Sequence, residues 1–148
     1  MSEAVPIDDG YCFACGPRNP IGMHLDFENL GEDGVRAQAT LAPQFQGWRG
    51  IAHGGIAISL LDEAMAHAAG YAGHRGVTAS MKIRFRKPVP LGEPLTIVGR
   101  VAWSRAKILG LEAEVRDARG TVLLRGDGHF VSRGAVGDAV DRRNPAAT

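Results

Sequence analysis

The segment from Ile56 to Ala69 is apolar nearly all the way round, and it constrains the fold more than any other part of the chain. It is rich in Ala, Leu and Met, which favour helix. Gly54-Gly55 precede it and Gly70 follows, as helix start and stop signals would. A helix without a polar face must be covered on most of its sides. Asp62, Glu63 and His67 are its strongly polar exceptions.

The cover comes from the second half of the chain. Met81, Ile83 and Phe85 alternate with Lys82, Arg84 and Arg86. Similar alternation runs through Leu95–Trp103, Leu109–Arg116 and Val122–Phe130. Period-two alternation predicts half-buried strands. Trp103, at a strand end, is expected in the core. The connections Pro88–Pro94, Ser104–Lys107 and Asp117–Gly120 are short, which favours an antiparallel sheet. Two shorter runs, near Met23–Glu28 and Val35–Leu41, precede the helix. One helix cannot cover both faces of such a sheet. The economical arrangement is α+β: a curved antiparallel sheet wrapped around one long central helix, with a sheet edge or outer surface left for a partner subunit.

A length of 148 residues suits a single domain. We place that domain at residues 11–133, with flexible termini at 1–10 and 134–148. Seventeen basic against sixteen acidic residues, a net charge of +1, argue against nucleic-acid binding driven by global charge. The acidic N-terminus has no signal-peptide pattern, and no apolar run approaches a membrane span. A cytoplasmic location and no membrane partner are expected.

Among the polar residues, Asp62 is the candidate general base or nucleophile, because a carboxylate projecting from a buried helix into a cleft can do either. Glu63, one residue away and at a different angle, is expected to face solvent or pair with Arg. His67 is expected to be a satisfied structural histidine, although it lies four residues after Glu63. At the helix entry, His53-Gly54-Gly55 presents the first backbone N–H groups, which lack internal acceptors and suit an anion or developing oxyanion. Glycine also lets a ligand approach the backbone closely. About two helical turns, roughly 11 Å, separate those glycines from Asp62. One helix hardly bridges a single carbonyl over that distance. Two helices packed antiparallel across a dimer would bring each Asp62 to the partner's glycines.

These residues resemble a known family. The pattern His53-Gly54-Gly55-x6-Asp62-Glu63-Ala64, with Gly76-Val77-Thr78 and Arg86-Lys87-Pro88-Val89-Pro90-Leu91-Gly92, is similar to the hotdog-fold thioesterases of the PaaI-like, 4-hydroxybenzoyl-CoA thioesterase-related superfamily. The resemblance runs from about Cys12 to Val131. Cys12-Phe13-Ala14-Cys15-Gly16 with Asn19-Pro20-Ile21-Gly22 looks like a subgroup of it. It implies a hotdog fold and hydrolysis of an acyl-CoA substrate by a homodimer or a dimer-of-dimers tetramer. Asp62 matches the acidic residue that activates water or attacks the thioester. Gly54 matches the carbonyl-polarising amide, with Gly55 and His53 beside it, and Thr78 matches a hydroxyl that positions water. Coenzyme A is then part of the substrate; no other cofactor and no metal is required. Some relatives carry an Asn before the HGG that contacts the substrate carbonyl. Here Gln46 stands in that region.

Arg84 and Arg86 share a strand face with Lys82, and Lys87 follows. They form either a solvated face or a patch for the phosphates of coenzyme A. Phe45 and Trp48 either line the acyl pocket or belong to the core. Cys12-x-x-Cys15 supplies two of the four ligands zinc usually takes, and His24 or a second subunit would have to complete them. Packed structural thiols are the simpler expectation. The rival functional classes are an acyl-CoA binder without catalysis, an enoyl-thioester hydratase and a zinc-dependent interaction module.

Overall fold

The structure, a computed structural model, describes residues 5–135. Its elements are β1 (Glu28–Asn29), β2 (Val35–Thr40), α1 (Gly54–Tyr71), β3 (His74–Phe85), β4 (Pro94–Arg105), β5 (Ile108–Arg116) and β6 (Val122–Ala135). The strands form one antiparallel sheet in the order β1-β2-β4-β5-β6-β3. The central helix and antiparallel sheet are those expected from the alternation, and every strand from β2 to β6 touches α1. β6 reaches Ala135; residues 1–4 and 136–148, where flexible termini are expected, lie outside the described residues.

Leu60, Leu61, Ala64, Met65 and Ala69 of α1 are at most 1% exposed, so neighbouring residues on different sides of the helix are buried together. Towards the sheet, this closeness depends on glycine. A Cβ on Gly99 of β4 would lie 2.6 Å from the Ala64 carbonyl oxygen. Gly126 and Gly128 of β6 leave similar room for Leu61 and Met65.

The remaining cover comes from the N-terminal segment. Phe27 stacks on His67 with ring centroids 4.7 Å apart, and the Tyr71 hydroxyl donates to the Phe27 carbonyl at 3.1 Å. Cys15, Leu25 and Phe27 are buried in the core. The run near Met23–Glu28 is therefore a strap along the helix, with regular strand only at Glu28–Asn29.

Trp103 corrects its expected place. It is 46% exposed and lies across Gly110, where a Cβ would fall 2.0 Å from the indole nitrogen. The register between β4 and β5 slips between Val101 and Trp103. That slip turns Trp103 from the inner face of Ile97 and Gly99 to the outer face beside His129, 5.5 Å between centroids.

Candidate functional site

The helix entry is built by its own side chain. His53 occupies the N-cap position, and its Nδ1 accepts the Gly55 N–H at 2.9 Å. This satisfies one of the donors that every helix start leaves open. It also commits the Gly55 amide, leaving Gly54 as the donor of the pair. No acceptor for the Gly54 N–H occurs among the described residues, and a Cβ there would meet nothing within 4 Å. The first turn thus presents a backbone donor, at the positive end of the helix dipole, to open space.

Two turns further on, Asp62 is half-buried. The Thr78 hydroxyl donates to its Oδ1 at 2.7 Å. Thr78 reaches the helix because of a register irregularity between Thr78 and Ser80. Beyond it, Met81 and Ile83 pack on the core, and simple alternation from them would turn Thr78 outward. The extra residue reverses the phase, so Thr78 faces Asp62 while Ser80 pairs with His129 at 2.9 Å on the outer face.

Asp62 lines neither of two cavities formed by the described residues. One lies over the outer face of β4–β6, between Trp103, Glu112, Arg125 and His129; the other lies beside Tyr71. The carboxylate instead stands near the outermost long strand. β3 hydrogen-bonds to β6 on one side and has no strand partner on the other among the described residues.

Glu63 corrects its expected place. It is 9% exposed rather than solvent-facing, and His67 and Cys12 are among its partners. His67 Nε2 lies 3.1 Å from Glu63 Oε1, so these two residues are partners across one helical turn. The Cys12 Sγ lies 3.7 and 3.8 Å from the two Glu63 oxygens. A hydrogen bond from the Cys15 side chain holds the Cys12 thiol down at about 6; the Cys15 and Ala14 amides assist, against burial and the Glu63 charge.

The remaining candidates separate. Gln46 Oε1 accepts from the Gly50 N–H at 3.0 Å, closing its own turn. Phe45 is buried and meets Phe13 edge-on at 6.0 Å, whereas Trp48 is 83% exposed. Arg84, Arg86 and Lys87 are exposed, and none takes part in an ion pair among the described residues. By register, Lys82 and Arg84 lie opposite Asp127 and Arg125, on the face of β3 turned away from α1. Within one protomer they are therefore not beside Asp62.

The comparisons with known proteins point one way. The thioesterase superfamily model matches residues 49–124. Among solved structures, a protein of the thioesterase superfamily is 31% identical, with 89% of this chain and 68% of that one covered and a TM-score of 0.80. The Escherichia coli PaaI protein from the phenylacetic acid degradation operon is 22% identical, with coverage of 76% and 82% and a TM-score of 0.70. A Streptococcus mutans protein bound to acetyl-CoA is 20% identical, with coverage of 75% and 90% and a TM-score of 0.70. The last two share the fold. No curated protein matches the chain.

Proposed function

Since the chain belongs to the thioesterase superfamily, we propose that it hydrolyses an acyl-CoA thioester, with Asp62 and the Gly54 amide as its catalytic groups. The observation that carries this reading is the Asp62 carboxylate, held by the Thr78 hydroxyl at 2.7 Å beside a sheet edge, on the same helix as an uncommitted amide. Structural neighbours that bind acetyl-CoA and coenzyme A support the substrate class.

The assembly follows from the spacing. Gly54 and Asp62 are roughly 12 Å apart along one helix axis, too far to act on one carbonyl. A long strand with an unpaired edge invites pairing with another chain. Two protomers joined along β3, with their α1 helices antiparallel, would set each Asp62 against the partner's first helical turn. The cleft around the thioester would then be completed between the two protomers. The exposed Arg84, Arg86 and Lys87 would then hold the nucleotide phosphates, with the pantetheine arm crossing the sheet edge to the thioester.

The chemistry needs little else. Attack on the carbonyl carbon places negative charge on the carbonyl oxygen. A fixed backbone donor aimed at that oxygen stabilises the transition state more than the substrate. Asp62 supplies the electron pair, either to a proton of the attacking water or to the carbonyl carbon itself. The C–S bond then breaks and the thiolate leaves without a strong general acid, because a thiol has a pKa of only about 8.5.

The test is a panel of acyl-CoAs assayed for released thiol, with Asp62→Asn as the comparison. The wild type should turn over at least one member. The variant should lose roughly 10²- to 10⁴-fold in kcat with unchanged circular dichroism and oligomeric state. Single-turnover hydrolysis in oxygen-18 water identifies the nucleophilic route if label enters the Asp62 carboxylate, since only water attack on the Asp62 carbonyl of a covalent acyl anhydride puts it there. Tight acyl-CoA binding without turnover by the wild type would overturn the hydrolase reading.

A further inference from the structure

The proposed reaction leaves one buried cluster unused. The ligand atoms of Cys12, Cys15 and Glu63 all lie within 4.8 Å of one another, although Glu63 is 51 positions from Cys12 in sequence. Glu63 is nine-tenths buried and Cys15 is buried in the core. The cysteines sit on a sharp turn closed by the Gly16 N–H donating to the Cys12 carbonyl at 2.8 Å. Only glycine fits there: a Cβ on Gly16 would lie 2.3 Å from the Cys12 nitrogen. This turn presents two sulfurs, at C-x₂-C spacing, to a carboxylate fixed on α1.

Three donors of this kind have a natural occupant. Two thiolates and one carboxylate gathered at one point suit a divalent cation, whose charge offsets their mutual repulsion once the thiols give up their protons. Zinc takes thiolate at about 2.3 Å and carboxylate oxygen at about 2.0–2.2 Å, so a tetrahedral S···O edge is roughly 3.5–3.7 Å. The Cys12 to Glu63 separations of 3.7 and 3.8 Å are close to that edge. His67, 3.1 Å from Glu63 Oε1, is placed as the outer partner that orients a ligating carboxylate. His24, the ligand that sequence spacing suggests, instead lies 2.5 Å from the Asn19 carbonyl oxygen and outside the cluster.

We propose that Cys12, Cys15 and Glu63 bind a zinc ion that clasps the N-terminal strap to α1, with His67 positioning the carboxylate. Three protein ligands leave the fourth zinc position to water. The site is separate from the Asp62–Thr78 pair.

The test uses the full-length, reduced, metal-free protein titrated with cobalt(II) and then zinc(II). The expected result is a tetrahedral cobalt spectrum with thiolate-to-cobalt charge transfer at one equivalent, displaced by zinc. Cys12→Ser or Cys15→Ser should diminish the charge transfer. Glu63→Gln should weaken cobalt binding by tenfold or more, and His67→Asn by roughly 10- to 100-fold. Circular dichroism checks folding. Should a serine variant fail to fold, alkylation of the wild-type thiols gives an independent readout, and zinc should protect both. A wild type without the charge-transfer band, thiols alkylated equally with and without zinc, or full affinity in a folded Glu63→Gln would overturn the site.

Discussion

Replacing Gly99 with Ala tests how closely the helix must sit on the sheet for the candidate site to form. The new Cβ would fall 2.6 Å from the Ala64 carbonyl oxygen, 2.8 Å from the carbonyl carbon and 3.0 Å from the Ala64 Cβ. None of these is the end of a flexible side chain, so the helix itself must give way. Restoring an ordinary 3.4 Å contact requires a retreat of about 0.8 Å. Overpacking of this kind costs about 1–3 kcal/mol, and at roughly 3 °C per kcal/mol Tm should fall by about 3–9 °C. Gly70, on the same helix, is the opposite case. A Cβ there meets nothing within 4 Å. Gly70→Ala should gain helix propensity of about 1 kcal/mol and raise Tm by about 3 °C. Gly126→Ala should fall between them, because its nearest neighbours are the ends of Leu61 and Met65, at 3.1 and 3.3 Å. Thermal melts followed by circular dichroism rank the three. Thioester turnover should follow the same logic. Asp62 lies half a turn before Ala64, and a misplacement near 1 Å costs up to roughly 10²-fold, so Gly99→Ala should be slow and Gly70→Ala unchanged. A Gly99→Ala protein as stable as the wild type, or a Gly70→Ala protein equally destabilised, would refute the close helix–sheet contact.

Two further predictions concern the helix entry and the outer face. His53→Ala removes the acceptor of the Gly55 N–H and should cost about 1 kcal/mol, seen as a Tm lower by roughly 3 °C; an unchanged Tm would mean that the cap contributes nothing. For Glu114, burial pushes the carboxyl up, but Arg125 and Arg116 outweigh it and hold the folded pKa below the ordinary glutamate value of 4.5. Its contribution to stability is therefore complete above that value and lost as pH falls through the folded pKa. Urea melts across the acid range should show this loss in the wild type and a shallower slope in Glu114→Gln; parallel slopes would exclude the linkage.

The architecture was legible because the chain obeys two periods over long stretches. The all-round apolar helix demanded cover, and the alternating runs supplied it. The misplacements cluster where a register slip breaks the period. Trp103 follows Gly99 and Val101 at even spacing, yet the irregularity after Val101 turns it outward. The one between Thr78 and Ser80 turns Thr78 inward, against the phase of Met81 and Ile83. Alternation alone would put both side chains on the wrong face, and only the family resemblance, not the pattern, singles out Thr78. The strap was missed for a different reason. Met23–Phe27 has no regular element, and its place is set by side chains distant in sequence, such as Tyr71 donating to the Phe27 carbonyl. The one available signal was compositional, a Cys pair followed by glycine in an otherwise cysteine-free chain.

The same helical turn explains why two adjacent carboxylates differ. Successive residues of an α-helix point about 100° apart. Asp62 accordingly reaches β3 and the Thr78 hydroxyl, while Glu63 turns towards the strap and meets Cys12 and His67. A carboxylate that faced the sheet interior would have found only Leu61, Met65 and their apolar neighbours, and its burial would have been costly. Each acidic residue of this helix points where a polar partner meets it. The bulge in β3 brings Thr78 to Asp62, and His67, one turn on, meets Glu63. Because both carboxylates ride on one turn, a change that loosens the strap from Glu63 also frees the backbone that carries Asp62. Disturbing Cys12 or Cys15 should therefore reach the candidate site through α1, although neither cysteine lies beside Thr78.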